Sequence, residues 1–484
     1  MRKIKSNYEQ MLIRKVNLII LLSYLAICIL FYVLAGEQLH FRQSRGNIER
    51  PMPNAATIEL VEGSSVSETF INKIQILEKF TVDFGDYNRV NKGRFNVMLK
   101  DLNNDSIILS KDINGEEIKE GNTNEFCLEQ PLQGLYNHKM SIQIKAIDGD
   151  VGSSITPLMR NENIYGNTQL FFNNEPVDGT LCFSVQGRDY IWFGIHYWKF
   201  VCLGAVFVLI WCMVMDYKVK CGKKILIFNA IIAIKRYKFL IEQMVARDFK
   251  TKYKRSILGI FWSFLNPLLT MLVQYFVFSN IFKNDIPYYH VYLIIGVVMF
   301  NFFSEACGMT LTSILGNSNL MTKVYVPKYI YPLVRVLSSA INLLISLIPL
   351  LLITIFSGIT FTKAIFLSIF ALVCLIMFSL GLGLLLSTSM VFFRDTQFLW
   401  GVFSMIWMYL TPIFYPESIL PKNFVGILKF NPLYYYVNFV RSCIIDGVSP
   451  EPRVYFICII SALAMFAVGA FVFKKNQDKF IFYL

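Results

Sequence analysis

The stretch that decides the fold is Arg247–Pro267, RDFKTKYKRSILGIFWSFLNP, in which a basic segment runs directly into a long apolar one. Its first part carries five cations, Arg247, Lys250, Lys252, Lys254 and Arg255. From Ile257 onward no charged residue occurs until Lys283. This pattern is typical of a helix that lies on the inner surface of a membrane and then enters the bilayer.

The composition and the distribution of charge also point to a membrane protein. Hydrophobic residues make up 55% of the 484 residues and charged residues 16%, which indicates several membrane spans. The formal net charge is +13, but residues 218–255 carry twelve Lys or Arg and two acids, whereas residues 36–198 carry fifteen Lys or Arg and twenty-two acids. Because the basic and acidic regions flank an apolar segment, the charge predicts membrane topology and no nucleic-acid partner.

Apolar runs predict an α-helical polytopic protein with about eight spans. We expect the first, Val16–Ala35, to be a retained anchor, with a cleaved signal peptide as the alternative. Basic residues in alternate loops put both termini in the cytoplasm, in the plasma membrane. The polar, Pro-rich segment 415–452 predicts short helices that line a cavity. The other spans are expected near 200–215, 260–282, 289–312, 331–356, 364–390, 398–414 and 454–473.

The region between the first two spans has the period-two pattern of β-strands. Polar turns, Asn103-Asn104-Asp105 and Asn173-Asn174-Glu175-Pro176, separate strand-like runs. We expect an extracytoplasmic β-sandwich, such as a jelly roll, which either binds carbohydrate or serves as a spacer or assembly domain. Apolar residues alternate at Phe80, Val82 and Phe84, at Phe95, Val97 and Leu99, at Ile142, Ile144 and Ala146, and at Leu181, Phe183 and Val185. Aromatic candidates for stacking on sugars are Tyr87, Tyr136, Tyr165 and Trp192.

The predicted division of the chain follows from these patterns. It comprises a cytoplasmic N-terminus (1–15), an anchor (16–35), the β-domain (36–198), a span (199–216), a cytoplasmic linker with an amphipathic interface helix (217–258), and a six-span membrane domain (259–484).

Cysteine and motif counts exclude several kinds of chemistry. Cys127 and Cys182 lie in the β-domain, each expected on the less buried side of its strand, where a disulfide and two free thiols are both open. The chain has no phosphate-binding loop, no H-E-x-x-H, no paired C-x-x-C and no G-x-S-x-G, and its four histidines form no metal-ligand spacing. We therefore expect neither ATP hydrolysis nor covalent catalysis in this chain, no metal, and no cofactor.

From Arg247 onward the sequence resembles the permeases of type-2 ABC exporters, above all those of O-antigen, teichoic acid and other lipid-linked polysaccharides. The resemblance lies in four collinear blocks, about half the chain, whereas the front half departs from the six-span family pattern. The blocks are the opening RDFKTKYKRSILGIFWSFLNPLLTMLVQYFVFSNIF, GNSNLMTKVYVPKYIYPLVRVLSS at Gly316–Ser339, VFFRDTQFLW at Val391–Trp400, and YLTPIFYPESILP with FNPLYYYVNFVRSCI at Tyr409–Ile444.

The resemblance implies a homodimer of permease chains above two separate ATPase subunits, which bind ATP and Mg. It implies a channel through which ATP binding drives a lipid-linked polysaccharide. Two alternatives remain open. One is a membrane-anchored glycan-binding receptor or assembly protein, and the other is a permease of the same family that exports a drug or a small lipid.

Candidate site residues follow from the same resemblance and from the residue types. We expect Arg247, Lys252 and Arg255, on an interface helix whose apolar side repeats every four residues from Tyr237 to Tyr253, to attract a pyrophosphate head group at the lipid gate. Pro267 predicts a kink in its span, as a gate hinge or a static feature. Glu305 is the acid within a permease span, either functional or a structural hydrogen-bond anchor. Channel-lining candidates are Tyr275, Phe302, Phe303, Glu305, Tyr409, Phe414, Tyr434, Tyr435 and Tyr436, and ATPase-coupling candidates are Lys323, Tyr325, Lys328, Arg394 and Asp395.

Overall fold

The protein is a polytopic α-helical membrane protein with an additional β-rich domain. The chain forms two compact units, one of His40–His196 and one of Met1–Leu39 with Tyr197–Leu484. The first lies within the predicted β-domain range. The computed structural model describes residues 2–44, 51, 53–86, 89, 91–118, 124–163, 165–221, 235–254, 257–259, 261–282, 288–323, 326–417, 426 and 428–483.

The β-unit is built from antiparallel strands. Its sheets have the orders β1-β14-β4-β8, β12-β11-β3-β9-β6-β7 and β13-β10-β2, and β5 also pairs with β10. A short helix, α2 (Trp192–Ile195), follows the last strand. The strands are β1 (Phe41–Ser44), β2 (Ala55–Ala56), β3 (Ser65–Ile71), β4 (Ile76–Val82), β5 (Phe84–Gly85), β6 (Arg94–Asp101), β7 (Ser106–Asn114), β8 (Asn124–Gln133), β9 (Lys139–Ala146), β10 (Thr156–Arg160), β11 (Gln169–Phe172), β12 (Glu175–Val177), β13 (Thr180–Leu181) and β14 (Phe183–Tyr190).

The three sheets share one apolar core, as the period-two pattern predicted. All twelve alternating apolar residues singled out in the sequence are buried. Phe70 of β3 and Phe183 of β14 meet across the core, with ring centroids 5.3 Å apart. The predicted turns are confirmed as well, since Asn173 and Asn174 between β11 and β12 take positive φ angles of 49° and 70°, a conformation that asparagine tolerates better than most residues.

The helical unit contains long helices separated by short connections. Between α10 and α11 the chain is irregular over Thr411–Tyr415. The helices are α1 (Arg2–Ala35), α3 (Tyr197–Lys220), α4 (Lys238–Tyr253), α5 (Phe261–Phe282), α6 (Tyr289–Leu311), α7 (Ser318–Lys323), α8 (Ile330–Phe356), α9 (Ser368–Phe392), α10 (Thr396–Leu410), α11 (Pro432–Ile444), α12 (Pro452–Asn476) and α13 (Phe480–Tyr483).

Seven helices in the described part of the chain are long and apolar enough to cross a membrane, namely α1, α3, α5, α6, α8, α9 and α12. The remaining predicted span, 398–414, instead contains most of the 15-residue helix α10, which is shorter than a bilayer crossing of about 20 residues. The helix ends at Leu410 because Pro412 lacks a backbone N–H and disfavours the helical conformation of the residue before it.

Arg441 of α11 holds the irregular segment after α10 in place. Its buried guanidinium donates to the backbone oxygens of Pro412, at 2.7 Å, and of Ile413, at 3.2 Å. It also donates to the oxygen of Tyr292 and lies 3.3 Å from the centroid of that residue's ring. Carbonyls released where a helix breaks need such a partner within a membrane, so Arg441 stabilises the break.

Candidate functional site

A polar cavity of about 290 Å³ lies where four helices of the membrane unit meet. Helix α4 contributes Lys252, and the other three helices contribute amide, hydroxyl and carboxylate side chains. Such a concentration of polar groups among membrane helices is unfavourable unless the groups are paired or serve a function. Its lining comprises Lys252, Trp262, Ser263, Asn266, Pro267, Val298, Asn301, Phe302, Glu305, Asn342, Leu343 and Ser346.

Glu305 of α6 is the centre of the hydrogen bonds in this pocket. Its Oε1 accepts from Lys252 Nζ at 2.7 Å and from Asn342 Nδ2 at 2.7 Å. Asn342 lies on α8, so one carboxylate oxygen joins α4, α6 and α8. Glu305 is therefore hydrogen-bonded to a neighbouring helix, as a structural anchor would be, and it also lines the cavity. A functional role for Glu305 stays a prediction.

The α5 wall of the pocket contains the predicted proline. Pro267 lies inside α5, and Asn266 before it faces the same cavity. On the same helix, the backbone oxygen of Ser263 accepts from Ser346 Oγ at 3.1 Å. This bond ties α5 to α8 one turn before the proline, where the helix lacks an internal hydrogen bond.

A second ion pair fastens α4 one turn away from Lys252. Asp248 Oδ2 lies 2.9 Å from Arg335 Nη1 of α8, and the Asp248 side chain is only 5% exposed. Arg247 donates to Asp248 Oδ1 and to Asn317 Oδ1, each at 3.3 Å. Arg247 thus binds the loop before α7 and is not among the residues that line the pocket.

The buried side of α4 agrees with the predicted one only in its first half. Of the apolar line of every fourth residue from Tyr237 to Tyr253, Ile241 is buried and Tyr237 and Val245 pack against the same core, but Met244 and Asp248 are buried as well. An α-helix has 3.6 residues per turn, so a strict spacing of four drifts around the helix and away from the contact. Arg255, the third predicted head-group residue, lies outside the described residues.

The predicted aromatic channel residues occupy different environments. Phe302 lines the polar pocket, whereas Phe303 and Tyr436 are fully buried against side chains of the same chain. Tyr409 is exposed, Phe414 is buried, and Tyr275 is partly buried. The other two belong to α11, where Tyr434 donates to Glu417 Oε2 at 2.6 Å and Tyr435 donates to the Lys429 backbone oxygen at 3.1 Å.

The predicted coupling residues lie in two short connections. Lys323 at the end of α7 is exposed, and Lys328 donates to the Gln477 oxygen at 2.6 Å. Arg394 and Asp395 precede α10, and both are exposed. Tyr325 lies outside the described residues.

The β-unit corrects one expectation about its cysteines. Both are free thiols, and Cys127 is exposed, but Cys182 is buried. The Cys182 N–H donates to the Leu158 oxygen and its own oxygen accepts from the Asp83 N–H, each at 2.9 Å. Cys182 lies between β13 and β14, where the chain passes from one sheet to another and both of its sides are covered.

The aromatic candidates for sugar binding are dispersed over the β-unit. Tyr136 and Trp192 are exposed, Tyr165 packs against the sandwich core, and Tyr87 lies outside the described residues. Trp192 stacks near His196, with ring centroids 5.2 Å apart.

Sequence reasoning missed four residues of the site. Asn301 and Asn342 line the pocket, and Asp248 with Arg335 anchors α4. Two signals were available: an acid within the basic run of α4, and an arginine within the apolar run of α8. A charged residue in such a position usually has a partner.

Comparisons with known proteins relate part of the membrane unit to a known family. Residues 240–445 match the ABC-2 type transporter family. The chain is 28% identical over 244 residues to an O-antigen export system permease protein RfbA of Klebsiella pneumoniae. The aligned region covers 50% of this chain and 93% of that protein. It is 25% identical to RfbA of Myxococcus xanthus over 248 residues, 51% of this chain and 95% of that protein.

A further relative is the polysialic acid transport protein KpsM of Escherichia coli, 22% identical over 245 residues, which are 50% of this chain and 95% of KpsM. The matched relatives are nearly covered by half of this chain, so the β-unit is additional to what they share. Residues 240–445 of this chain thus match the ABC-2 type transporter family, and this match together with the export permeases supports a permease of the type-2 ABC exporters.

Proposed function

We propose that this chain is the channel-forming membrane subunit of an ATP-driven exporter that moves a lipid-linked polysaccharide across the plasma membrane. The observation that carries the proposal is the polar pocket in which Lys252 lies among the amides of Asn266, Asn301 and Asn342. An ammonium group surrounded by hydrogen-bonding amides suits a head group that carries phosphate and sugar hydroxyls. The names of the relatives, which describe O-antigen and polysialic acid export, support the substrate class.

The proposed topology places both termini in the cytoplasm and the β-unit outside. The excess of basic residues in 218–255 and of acidic residues in 36–198 supports this orientation. The pocket then lies towards the cytoplasmic side, because Lys252 belongs to the helix that follows the basic linker. A substrate assembled in the cytoplasm would meet the pocket first.

The proposed assembly is a homodimer of this chain with two ATPase subunits, which bind ATP and Mg. Sequence motifs for ATP binding are absent from this chain, and ABC-2 transporters are defined by their ATP-binding partner. Exposed Lys323, Arg394 and Asp395 are the proposed contacts. A displacement of the connection around α7 by the ATPase would be transmitted to the pocket through α4. One end of this link is the bond of Arg247 to Asn317 before α7, and the other is the bond of Lys252 to Glu305.

The test is reconstitution of the full chain with its partner ATPase in vesicles that contain a lipid-linked polysaccharide. The chain is oriented with its cytoplasmic side facing outward. We expect ATP to reduce the binding of an external lectin to the polymer, as the polymer enters the lumen. Lys252→Gln should slow this change about tenfold through loss of a charge-assisted contact, whereas Lys250→Gln, an exposed lysine of the same helix, should not.

Three results would contradict the proposal. A polymer that stays accessible with ATP, while a fluorescent drug or small lipid is moved, would favour a small-molecule permease. Purification without any ATPase in mild detergent, together with tight binding of glycan to the β-unit, would favour a receptor. Equal transport rates for Lys252→Gln and Lys250→Gln would show that the pocket does not take part in transport.

A further inference from the structure

We propose that Glu305 is an internal counter-anion, which occupies Lys252 until a multiply charged phosphate head group displaces it, and that this exchange makes the pocket prefer diphosphates to monophosphates and neutral head groups. The inference rests on the proposed function, because it assumes that the pocket receives the head group of a transported lipid. It concerns a residue that acts on specificity.

The geometry gives Glu305 two hydrogen-bond partners on one carboxylate oxygen, and the residue lines the cavity. Its Oε1 accepts from both Lys252 and Asn342. Among the described residues no hydrogen bond reaches Oε2, and Glu305 lines the pocket. If Lys252 turned to another anion, the carboxylate would keep its bond to Asn342. Displacement therefore leaves neither partner unsatisfied.

The exposure of the two ion pairs on α4 shows which one can exchange. The side chains of Lys252 and Glu305 are 41% and 28% exposed, whereas those of Asp248 and Arg335 are 5% and 22% exposed. Solvent screening makes exposed pairs weak, while breaking a buried pair is strongly unfavourable. The Asp248 pair thus holds α4 on α8 during an exchange at Lys252.

Charge then decides which ligand can displace the carboxylate. A monophosphate carries about −1.5 to −2 charges near pH 7 and has fewer acceptor oxygens than a diphosphate, so it gains less from Lys252 in exchange for the carboxylate. A diphosphate brings more charge and more acceptor oxygens, which can also take hydrogen bonds from Asn266 and Asn301 in the same pocket. Glu305, still held by Asn342, repels every anion that enters, so weak competitors are rejected.

The experiment measures binding of three short probes to the full chain purified with its ATPase. The probes are farnesyl diphosphate, farnesyl monophosphate and farnesol, titrated by microscale thermophoresis. The wild type should bind the diphosphate about tenfold more tightly than the monophosphate, in line with one additional charge-assisted contact. Glu305→Gln should tighten the binding of both phosphates, the monophosphate more, so that the preference falls to about twofold, and should leave farnesol unchanged.

Two variants keep the test specific. Lys252→Gln should weaken the binding of both phosphate probes. The double variant with Glu305→Gln should regain little of that binding, because the ammonium group is the target that both phosphates share. Glu242→Gln, an exposed acid of the same helix outside the pocket, should behave as the wild type. Size-exclusion profiles establish that each variant remains folded.

The inference is overturned if Glu305→Gln leaves the diphosphate preference unchanged, or weakens diphosphate binding, since Glu305 would then support the ligand. It is also overturned if neither wild type nor variant binds a phosphate probe, even where ATP-driven polymer export succeeds. Conversely, the predicted binding pattern without polymer export would reject the proposed function and retain the anion exchange. The two failures are therefore distinct.

Discussion

Glu68 places an ionisable carboxyl inside the core of the β-sandwich. It lies on β3 between the buried residues Val66 and Phe70, and none of its surface is exposed. Burial raises the pKa of Glu68 to about 8, although its Oε2 accepts a hydrogen bond from the Leu181 N–H. Near neutral pH this side chain is therefore largely protonated in the folded domain.

The sign of the resulting pH dependence follows from proton linkage. Between the unfolded pKa of 4.5 and the folded pKa of about 8, the folded state binds the proton and the unfolded state does not. The free energy of unfolding of the β-unit should thus fall by up to about 1.4 kcal/mol per pH unit over this window. Glu68→Gln should remove that slope, and at pH 8 it should be more stable than the wild type.

The unfolding of the β-unit can be measured in the full-length protein by alkylation of the buried thiol of Cys182. Mass spectrometry of the peptide that contains Cys182 then gives the labelled fraction. Comparison of variant and wild type at each pH cancels the titration of the thiol itself. Slower labelling of Glu68→Gln at pH 8, with the difference shrinking towards pH 5, is expected. Glu129→Gln, an exposed acid of β8, is the control, and an equal slope in both variants would refute the assignment.

At the scale of an element, α4 is attached to the membrane helices by two ion pairs of unequal strength. Asp248 binds Arg335 and is buried, whereas Lys252 binds Glu305 near solvent. The two residues of α4 are four positions apart and lie on one face of the helix. The helix is therefore anchored at one point and adjustable at the next.

Loss of the buried pair should release α4 far more than loss of the exposed one. Asp248→Asn should lower the local stability of α4 by about 3 kcal/mol, since Arg335 loses its counter-charge, and should speed hydrogen exchange of residues 238–253 about a hundredfold. Glu305→Gln should speed hydrogen exchange of the same residues less than about fivefold. A double-mutant cycle with Arg335→Gln checks the coupling, and additive effects would contradict it.

The crossing of α9 and α12 depends on two glycines. A Cβ on Gly469 would lie 1.9 Å from the backbone oxygen of Gly381, so the helices approach without room for a side chain. Small residues allow such close packing within membranes. The closest crossing in this region therefore excludes even alanine.

Gly469→Ala should lower the free energy of unfolding by about 1–3 kcal/mol, because the helices must move apart. Thermal unfolding in detergent, followed by tryptophan fluorescence, measures the change. Gly401→Ala provides the control, as a Cβ there meets nothing within 4 Å. Equal transition temperatures of the two variants would show that the helices separate easily.

At the scale of the whole molecule, the extra helical hairpin is held independently of the β-unit. Helices α1 and α3 are joined by Tyr24, which donates to the Val201 oxygen at 2.9 Å, and by Tyr197, which donates to the Cys28 oxygen at 2.7 Å. Phe31 of α1 contacts Tyr455 of α12, with ring centroids 5.1 Å apart. The hairpin thus belongs to the membrane unit.

Replacement of residues 40–196 by a short Gly-Ser linker should leave the membrane unit folded and bound to its ATPase. Helix ends at Tyr32 and Tyr197 already lie close, with ring centroids 5.7 Å apart, so a short linker can join them. Co-purification of the ATPase and the thermal transition of the shortened chain are the measurements. Loss of either would show that the β-unit supports the permease.

Much of the fold was predictable, because its signals are local. Strands such as β6, with alternating buried residues, and the asparagine-rich turns were confirmed. Spans were recognised by their apolar length. The C-terminal end of α10 was predicted too far along the chain, since the apolar run continues to Phe414 beyond the break at Pro412. The burial of Cys182 was missed because alternation fails where a chain passes between sheets.

The sequence by itself determined a polytopic membrane protein with an inserted β-rich domain, since apolar length, period and charge asymmetry are properties of neighbouring residues. Its relation to export permeases came from the resemblance of four sequence blocks. Only the tertiary structure decided that Lys252, Asn301, Glu305 and Asn342 share one pocket. These residues come from three different helices, and the rotation of each helix about its axis depends on packing between distant segments. Local periodicity contains no information about such distances, so the site emerged only from the folded arrangement.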